Sequence, residues 1–299
     1  MIRSFEELGR LARGATKKRI ALAMADEADA LKAVLRAAAQ GVAEPVLVGH
    51  QDRIRELASM ERLELDDLRI VHTDGEKECS LQAVALVRSG EAEVLMKGRT
   101  ATSTLMKAVL DSQNGLKGPG LMSHLTLIES KSYPKLLLMS DPGLNIAPDL
   151  AAKASIVENA VRAARRLGVT RPKVAIIAAV EKVNPGSMPA TADAAILSKM
   201  AERGQLQDCI VDGPLSLDNA LSAHSCEIKG ISSPVGGEAD ILIMPGIEAA
   251  NVFYKTLAFF TDARLAGVVL GARVPIVLPS RADSDSVKLD SILAAVVLA

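Results

Sequence analysis

The sequence is poor in aromatic residues and has almost no net charge, and each shortage excludes a class of function. Aromatic residues make up 2% of the 299 residues, so the chain lacks the ring platforms on which nucleic-acid-binding proteins stack bases. The formal net charge is −1, which gives no broad positive field for DNA or for an anionic membrane. An anionic ligand must therefore be bound by a local cluster of donors.

Cysteine and histidine are also scarce, and their spacing is not typical of a disulfide framework or of a metal site. The three cysteines, which lie far apart, are Cys79, Cys209 and Cys226. The four histidines, none with an obvious catalytic partner, are His50, His72, His124 and His224. We expect free thiols, a reducing compartment and no metal in the functional site.

Long apolar runs and the common nucleotide-binding motifs are absent as well. No apolar run approaches the ~20 residues of a membrane helix, and the opening "MIRSFEELGRLARG" lacks the apolar centre of a signal peptide. There is no G-x-G-x-x-G after a strand, no Walker A sequence and no G-x-S-x-G elbow. These absences favour a cytoplasmic protein that does not bind membranes, nucleic acid or nucleoside triphosphates.

Short apolar runs alternate with helical patterns along the whole chain, as in "EPVLVG" before "QDRIRELA" and "EVLMKG" before "STLMKAVLD". This alternation predicts an α/β fold with parallel-rich sheets in two domains. The runs "HLTLIES" and "KLLLMSD" predict an antiparallel hairpin in the middle. The last helix is too short for a third domain, so we expect a discontinuous first domain, residues 1–138 with 278–299, and a second domain, residues 139–277.

Two segments that follow apolar strands combine cations, hydroxyls and carboxylates. Ligands of such sheets bind beyond the carboxyl ends of the strands. In "MKGRTATSTLMKAVL" the candidate phosphate ligands, at a helix start, are Arg99, Thr100, Ser103 and Thr104. In "VLPSRADSDSVKL" the candidate catalytic groups are Ser280, Arg281, Asp283 and Asp285. An arginine fork suits an acyl phosphate or a carboxylate, and either aspartate is a candidate base. The alternative is that these side chains cap helices or face solvent.

Two further segments offer polar groups after strands. In "EKVNPGSMPATADAAILSKM", Asn184 and Thr191 are candidate ligand contacts, although a rigid loop with a helix cap explains them equally. In "ILIMPGIEAANVFYKTLAFF", Asn251, Tyr254 and Lys255 lie about one helical turn apart. An exposed lysine is the commoner case, but the neighbours of Lys255 are apolar.

Taken together, these segments resemble the phosphate acetyl/butyryltransferase family, most closely its butyryltransferase branch. The resemblance runs from "IRSFEEL" to "SRADS" and includes "EKVNP…MPAT.DAA.LSKM", "DGPLSLDNA" and "GEADILI.P.IEA.N..YKTL". It implies two α/β domains with an interdomain cleft, related to isocitrate and isopropylmalate dehydrogenases. It also implies the reversible reaction of a short-chain acyl-CoA with phosphate to give acyl phosphate and CoA.

The resemblance assigns roles to most of the candidate residues. It places Ser280 and Arg281 in the cleft and matches the family's hydroxyl loop to Thr100, Ser103 and Thr104. We expect Lys255 to bind phosphate and Asn184, Thr191, Asn251 and Tyr254 to line the cleft for CoA. CoA is then a substrate rather than a bound cofactor, no metal takes part, and the chain forms a homodimer or a larger homo-oligomer.

Some features depart from the family pattern or stay open. Gly246 and Ala250 stand where the family usually has Asp and Gly, and neither Asp283 nor Asp285 matches its base one to one. We expect direct attack of the CoA thiolate in a ternary complex, without an acyl-enzyme. The alternatives are a phosphate acetyltransferase, a metal- and NAD(P)-dependent β-decarboxylating dehydrogenase, and a non-catalytic protein that binds CoA or phosphate. The acyl chain length is not fixed by the sequence.

Overall fold

The computed structural model describes residues 2–65, 68–118 and 120–299, which group into two compact units. The terminal unit comprises Glu6–Gly120 and Ala266–Ala299, and the central unit comprises Met1–Phe5 and Leu121–Leu265. The domain boundaries after residues 138 and 277 stay a prediction.

The first stretch of the terminal unit alternates helices and strands as the sequence predicts. In chain order its elements are α1 (Phe5–Gly14), β1 (Lys18–Ala23), α2 (Ala28–Ala39), β2 (Ala43–Gly49), α3 (Gln51–Met60), β3 (Arg69–His72), α4 (Glu76–Arg88), β4 (Val94–Lys97) and α5 (Thr102–Val109). β1, β2 and β4 are almost wholly buried, because helices cover both faces of a parallel sheet.

The central unit follows with a hairpin and a second parallel set. Its elements are β5 (Ser123–Glu129), β6 (Leu137–Ser140), α6 (Leu150–Arg166), β7 (Lys173–Ile177), α7 (Pro189–Glu202), β8 (Ile210–Leu215), α8 (Leu217–Leu221), α9 (Ala223–Lys229), β9 (Ile241–Ile243) and α10 (Ile247–Phe260). Its strand order is β5-β6-β9-β7-β8. β5 and β6 pair antiparallel, which confirms the predicted hairpin, and the remaining neighbours are parallel.

The chain then completes the terminal unit with β10 (Arg264–Leu270), β11 (Ile276–Val277) and α11 (Asp285–Leu298). The strand order of this unit is β3-β2-β1-β4-β11-β10, parallel except for the β10–β11 pair. α11 packs against α2, so the last helix returns to the elements formed by the start of the chain. The predicted α/β class with parallel-rich sheets is confirmed.

The register of the terminal sheet decides where its functional groups lie. Ala23 of β1 pairs with Lys97 of β4, and Val277 of β11 pairs with Met96 of β4. The carboxyl ends of these three parallel strands therefore meet at one edge. Ligand sites of such sheets lie at that edge. Among the residues described, no helix is both long and apolar enough to span a membrane.

Candidate active site

The carboxyl edge of the terminal unit gathers a set of charged and hydroxyl side chains, which we call the strand-end cluster. Its members are Glu27, Glu76, Lys97, Thr100, Ser103, Thr104, Ser280, Arg281, Asp283 and Lys288. They come from five separate stretches of the chain. The β4 and β11 segments singled out in the sequence both contribute.

A carboxylate from α4 occupies the turn between β4 and α5. Ala101, the N-cap of α5, has no side-chain cap of its own, and its N–H donates to Glu76 Oε1 at 2.6 Å. The Thr100 hydroxyl donates to the same oxygen at 3.0 Å, and the Thr104 hydroxyl also bonds to Glu76. These donors, and then the charge of Arg281, hold the pKa of Glu76 below its ordinary value. Glu76 therefore accepts the hydrogen bonds of the helix start that was predicted to bind an anion.

Among the predicted hydroxyl ligands of this turn, Ser103 is the one not engaged with Glu76. It is exposed in the first turn of α5, and its side chain makes no hydrogen bond within the described part of the chain. The hydroxyls of Thr100 and Thr104 are instead engaged with Glu76. Of the predicted hydroxyl ligands, Ser103 is thus the one placed to meet an incoming anion directly.

Lys97, the last residue of β4, is a buried cation. It is 4% exposed, and its Nζ donates to the Gly98 carbonyl at 3.2 Å. Burial lowers the pKa of Lys97, and the positive charges of Arg281 and Lys288 lower it further. The carboxylates of Glu27 and Asp283 act in the opposite direction, so the cations of the cluster are partly balanced by neighbouring carboxylates.

The turn after β11 presents Arg281 and holds Asp283 inward. Asp283 Oδ2 accepts a hydrogen bond from the Ser280 N–H at 2.7 Å, and the Asp283 N–H donates to the Ser280 carbonyl at 3.1 Å. Arg281 is exposed and makes no hydrogen bond or ion pair with any described residue. Its charge nevertheless lowers the pKa of both Glu76 and Lys97, so Arg281 lies near both of them.

Lys288, near the start of α11, stabilises the loop that follows β11. It is 1% exposed, and its Nζ donates to the Asp283 carbonyl at 3.0 Å and to Glu27 Oε1 at 3.3 Å. Glu27 is also the N-cap of α2, where it accepts from the Asp29 and Ala30 N–H groups. The backbone of the turn is therefore tied to the start of α2 through one buried ammonium group.

Two other predicted residues of the terminal unit already have ionic partners. Asp285 pairs with Arg36 at 2.5 Å, and Arg99 pairs with Asp26 at 2.6 Å. The Arg99 side chain is half exposed, so a second anion has access to its guanidinium. The cap of α11 is Ser284, whose hydroxyl accepts from the Val287 N–H. Neither aspartate fills that role.

Glu27, Glu76 and Lys288 were not singled out from the sequence. Acidic residues in the first turn of a helix are ordinary, since they complement the helix dipole, and so they carry no distinguishing signal. Lys288 lies within an otherwise apolar helical run, and a buried charge of this kind signals a paired group. Each of the three also has a partner from a remote stretch of the chain, which a single sequence does not bring together.

The central unit carries the remaining candidates, three of them on α10. Asn251 Nδ2 donates to the Pro142 carbonyl at 3.1 Å, which ties α10 to the loop after β6. Tyr254 packs against the core of the central unit, and Lys255 Nζ lies 5.2 Å from the centroid of its ring. This distance is that of a cation–π contact. Lys255 is half-buried.

The loop between β7 and α7 is held by its own side chains. The Asn184 N–H donates to Thr191 Oγ1 at 2.8 Å, and that hydroxyl donates to the Met188 carbonyl at 2.7 Å. Thr191 is fully buried, whereas Asn184 is exposed. These contacts are those of a rigid loop. A ligand contact stays a prediction for both residues.

The segment "DGPLSLDNA" forms a compact polar network after β8. The ammonium group of Lys229 lies 3.0 Å from Glu181 Oε1, 2.9 Å from Asp218 Oδ2 and 3.0 Å from Asn219 Oδ1. The Ser216 hydroxyl contacts the same three partners. The oxygens of this network are therefore satisfied from within the central unit.

Comparison with known proteins places the chain in a family. A sequence family described as "Phosphate acetyl/butaryl transferase" matches residues 4–80 and 76–296. The phosphate butyryltransferase of Clostridium acetobutylicum is 42% identical over 299 residues, 100% of this chain and 99% of that protein. The chain belongs to the phosphate acetyl/butyryltransferase family. The resemblance found in the sequence, and the prediction of an acyltransferase enzyme, are confirmed.

Other relatives of the family and its fold extend the match. The phosphate acetyltransferase of Thermotoga maritima is 45% identical over 294 residues, 98% of this chain and 99% of that protein. The crystal structure of a branched-chain phosphotransacylase from Enterococcus faecalis is 32% identical, with a TM-score of 0.81 over 94% of this chain and 98% of that chain. A 4-hydroxythreonine-4-phosphate dehydrogenase from Klebsiella pneumoniae, at 13% identity and TM-score 0.56 over 95% and 100% of the two chains, shares the fold alone. The predicted likeness of the fold to that of dehydrogenases is thus confirmed.

Proposed function

We propose that this enzyme transfers a short acyl group reversibly between CoA and inorganic phosphate and that the strand-end cluster binds the phosphate end of the reaction. The observation that carries the proposal is the guanidinium of Arg281. It makes no ion pair with any described residue and lies near the buried cation Lys97, in a chain that belongs to this family. A planar guanidinium binds phosphate oxygens in pairs. The free hydroxyl of Ser103 supplies a further donor at the same edge.

The charges of the cluster suit the change that occurs in the reaction. Attack of sulfur on the acyl carbonyl builds negative charge on the carbonyl oxygen, and phosphate leaves as an anion. We assign the stabilisation of these charges to Arg281 and Ser280, and the buried cation Lys97 interacts electrostatically with Arg281. One fixed donor of this kind contributes ~3 kcal/mol to the stability of the transition state.

We propose Asp283 as the base that takes the proton of the CoA thiol. The thiolate is the nucleophile, and a thiol with a pKa near ~8.5 requires only modest help at neutral pH. Asp283 lies close enough to Lys97 to act on its pKa, and its Oδ2 is fixed by the Ser280 N–H. Asp285 is engaged with Arg36, so it suits this role less well.

We infer direct transfer from CoA to phosphate, because the cysteines are poor nucleophiles. All three are buried and free. Burial raises the pKa of Cys79, and it raises the pKa of Cys209 to about 11. The Cys226 thiol donates to the Asn219 carbonyl at 3.2 Å. Initial rates measured against both substrates should give intersecting lines, and parallel lines with a trapped acyl-cysteine would contradict direct transfer.

Asn184, Thr191, Asn251 and Tyr254 remain our predicted CoA contacts, and Lys255 remains a predicted phosphate ligand, on the strength of the family resemblance. We also propose that the enzyme acts in the cytoplasm as a homodimer without a permanently bound cofactor. Exposed apolar side chains on α10 support association of two copies, since Val252, Phe259 and Phe260 are 66%, 71% and 85% exposed. Light scattering that shows a monomer at micromolar concentration would contradict the homodimer.

The acyl chain is proposed to be butyryl, as named for the C. acetobutylicum relative, while the T. maritima relative favours acetyl as the second candidate. Release of CoA thiol from a panel of acetyl- to hexanoyl-CoA, with and without phosphate, tests both. We expect release that depends on phosphate and is fastest with butyryl-CoA. Absence of phosphate-dependent release with every acyl-CoA would contradict the proposed function. Reduction of NAD(P)⁺ by hydroxy acids would then favour a dehydrogenase.

A further inference from the structure

Two histidines that the sequence separates are brought together at the outer edge of the terminal sheet. His50 follows β2 directly, His72 ends β3, and Gly49 pairs with His72 in the parallel register. One nitrogen of each ring and one carboxylate oxygen of Asp74 lie within 4.8 Å of one another. None of these three residues belongs to the strand-end cluster. The group is thus a separate set of metal-ligand types.

The His50 ring has a buried nitrogen without a partner. Its Nδ1 is shielded from solvent and makes no hydrogen bond within the described residues, although His50 is the N-cap of α3. The rings of His50 and His72 meet at 64° with centroids 5.0 Å apart. A buried polar atom without a hydrogen bond lowers the free energy of unfolding, so we expect this nitrogen to bind a ligand.

His72 is held only weakly. Its Nδ1 accepts from the Gln51 N–H at 3.3 Å, and its Nε2 lies 3.2 Å from Asp74 Oδ1, both in exposed positions. The side chains of His72 and Asp74 are 47% and 81% exposed. Either ring nitrogen of His72 is therefore open to exchange its long hydrogen bond for a metal ion after a small rotation of the side chain.

A small cavity beside His50 and Asp74 has further unpaired polar atoms in its wall. Its volume is about 20 Å³, and His50, Thr73, Asp74 and Asp26 are among the residues that line it. Thr73 Oγ1 and Asp26 Oδ1 are buried and make no hydrogen bond within the described part of the chain. Arg53 and Arg99 also line the cavity, and the charge of Arg99 is balanced by the other oxygen of Asp26. The space suits one ion or one water molecule.

We propose that His50, His72 and Asp74 bind one transition-metal ion with the ligand preferences of Zn²⁺. Two imidazoles and one carboxylate suit Zn²⁺ and its neighbours, whereas Mg²⁺ and Ca²⁺ favour all-oxygen sites. Bonds of roughly 2.0–2.2 Å require the donors to close in from their present separation, and the exposed His72 and Asp74 side chains can move to do so.

The ion would act as a structural clamp. β3 is the edge strand of its sheet and has only four residues, Arg69–His72, so few hydrogen bonds hold it. A metal joining the ends of β2 and β3 would stabilise that edge, and it would take no part in the chemistry of acyl transfer. The proposal of this metal site therefore does not depend on the proposed function.

Equilibrium dialysis of the full chain against ZnCl₂ tests the site. We expect one zinc ion per chain, together with a rise in the thermal midpoint that MgCl₂ at the same concentration does not produce. Binding of less than one zinc ion per chain, with no shift of the midpoint, would overturn the proposal and leave the cavity as a water site.

Variants locate the ion. His72→Gln and Asp74→Asn change exposed side chains and should fold normally, yet each should weaken zinc binding by at least ~10-fold. His50→Gln keeps most of the volume of the ring and should do the same. His224→Gln, an exposed histidine on α9 of the central unit, is the matched control and should bind zinc as the unmodified chain does. Unchanged affinity in His72→Gln, or a loss in His224→Gln, would place the zinc elsewhere and overturn the assignment.

Discussion

The carboxylate of Glu76 lies where a bound anion is expected, at the N-terminus of α5. It takes the Ala101 N–H and two threonine hydroxyls, the groups that a phosphate would otherwise use. We therefore propose that an incoming phosphate contacts Ser103 and Arg281, while the hydrogen bonds of Glu76 fix the conformation of the turn. Glu76 is in this sense a positioning residue, since its contacts lie with the protein.

The charge of Glu76 should stabilise the fold in a pH-dependent way. Because the pKa of Glu76 is lower in the folded chain than in the unfolded chain, its contribution is present above the unfolded pKa of roughly 4.5 and is lost as the pH falls through the folded value. Glu76→Gln should lower the thermal midpoint at pH 7, and the difference from the unmodified chain should shrink as the pH falls below the unfolded pKa and through the lower folded pKa.

Thermal melts of Glu76→Gln across that pH range provide the measurement. Glu78→Gln, in the same turn of α4, is the matched control, because Glu78 is exposed and accepts a single long bond from the Asp74 N–H at 3.2 Å. A deficit in Glu76→Gln that is the same at pH 7 and at low pH would show that the charge is not responsible.

Asp283 and Asp285 should differ in their effect on turnover. Asp283→Asn keeps an oxygen for the Ser280 N–H but removes the proposed base, so kcat should fall by at least ~10²-fold while the fold is kept. Asp285→Asn weakens only the pair with Arg36 and should retain most of the turnover. Steady-state rates of both variants decide the matter, and the reverse order would assign the base to Asp285.

At the level of elements, the close approach of β1 and β4 shapes the site. A Cβ at Gly98 would lie 2.2 Å from the Met24 carbonyl oxygen and 2.9 Å from that of Ala23. The Gly98 N–H meanwhile donates to the Ala23 carbonyl at 2.8 Å. Only a glycine at position 98 allows the end of β4 to pack against the end of β1. This close packing positions the turn that follows β4.

Gly98→Ala should therefore destabilise the terminal unit by about 2 kcal/mol or more, because backbone atoms must shift to make room. Gly14→Ala is the matched control, since a Cβ there meets nothing within 4 Å. Chemical denaturation of both variants measures the difference. Equal free energies of unfolding would show that the strand ends tolerate separation.

Elements were more predictable than their caps. Alternating apolar runs and helical patterns indicate the parallel strands and the β5–β6 hairpin, because burial on two faces fixes composition. The cap of α11 was not predictable, since Asp283, Ser284 and Asp285 are all good capping residues. Only the backbone conformation selects Ser284, which leaves Asp283 to bind the Ser280 N–H.

At the scale of the whole molecule, the family follows from segments spread over the full chain, and the terminal unit brings several of them to one edge of its sheet. The sequence indicated Ser103 and Arg281, because cations and hydroxyls directly after a buried strand are unusual. It did not indicate that Glu76 binds Thr100 or that Lys97 is buried, since both depend on contacts between remote stretches. The acyl chain length depends in the same way on side chains that the sequence does not place together.

The central claim is that Arg281 binds the phosphate end of the reaction, and the kinetics of Arg281→Ala test it most directly. Phosphate-dependent release of CoA from butyryl-CoA should show kcat/KM for phosphate lowered by at least ~10²-fold, with an unchanged thermal midpoint. Arg273→Ala, which removes an exposed arginine from the turn between β10 and β11, should leave this value unaltered. An Arg281→Ala enzyme with the kcat/KM of the unmodified chain would contradict the account.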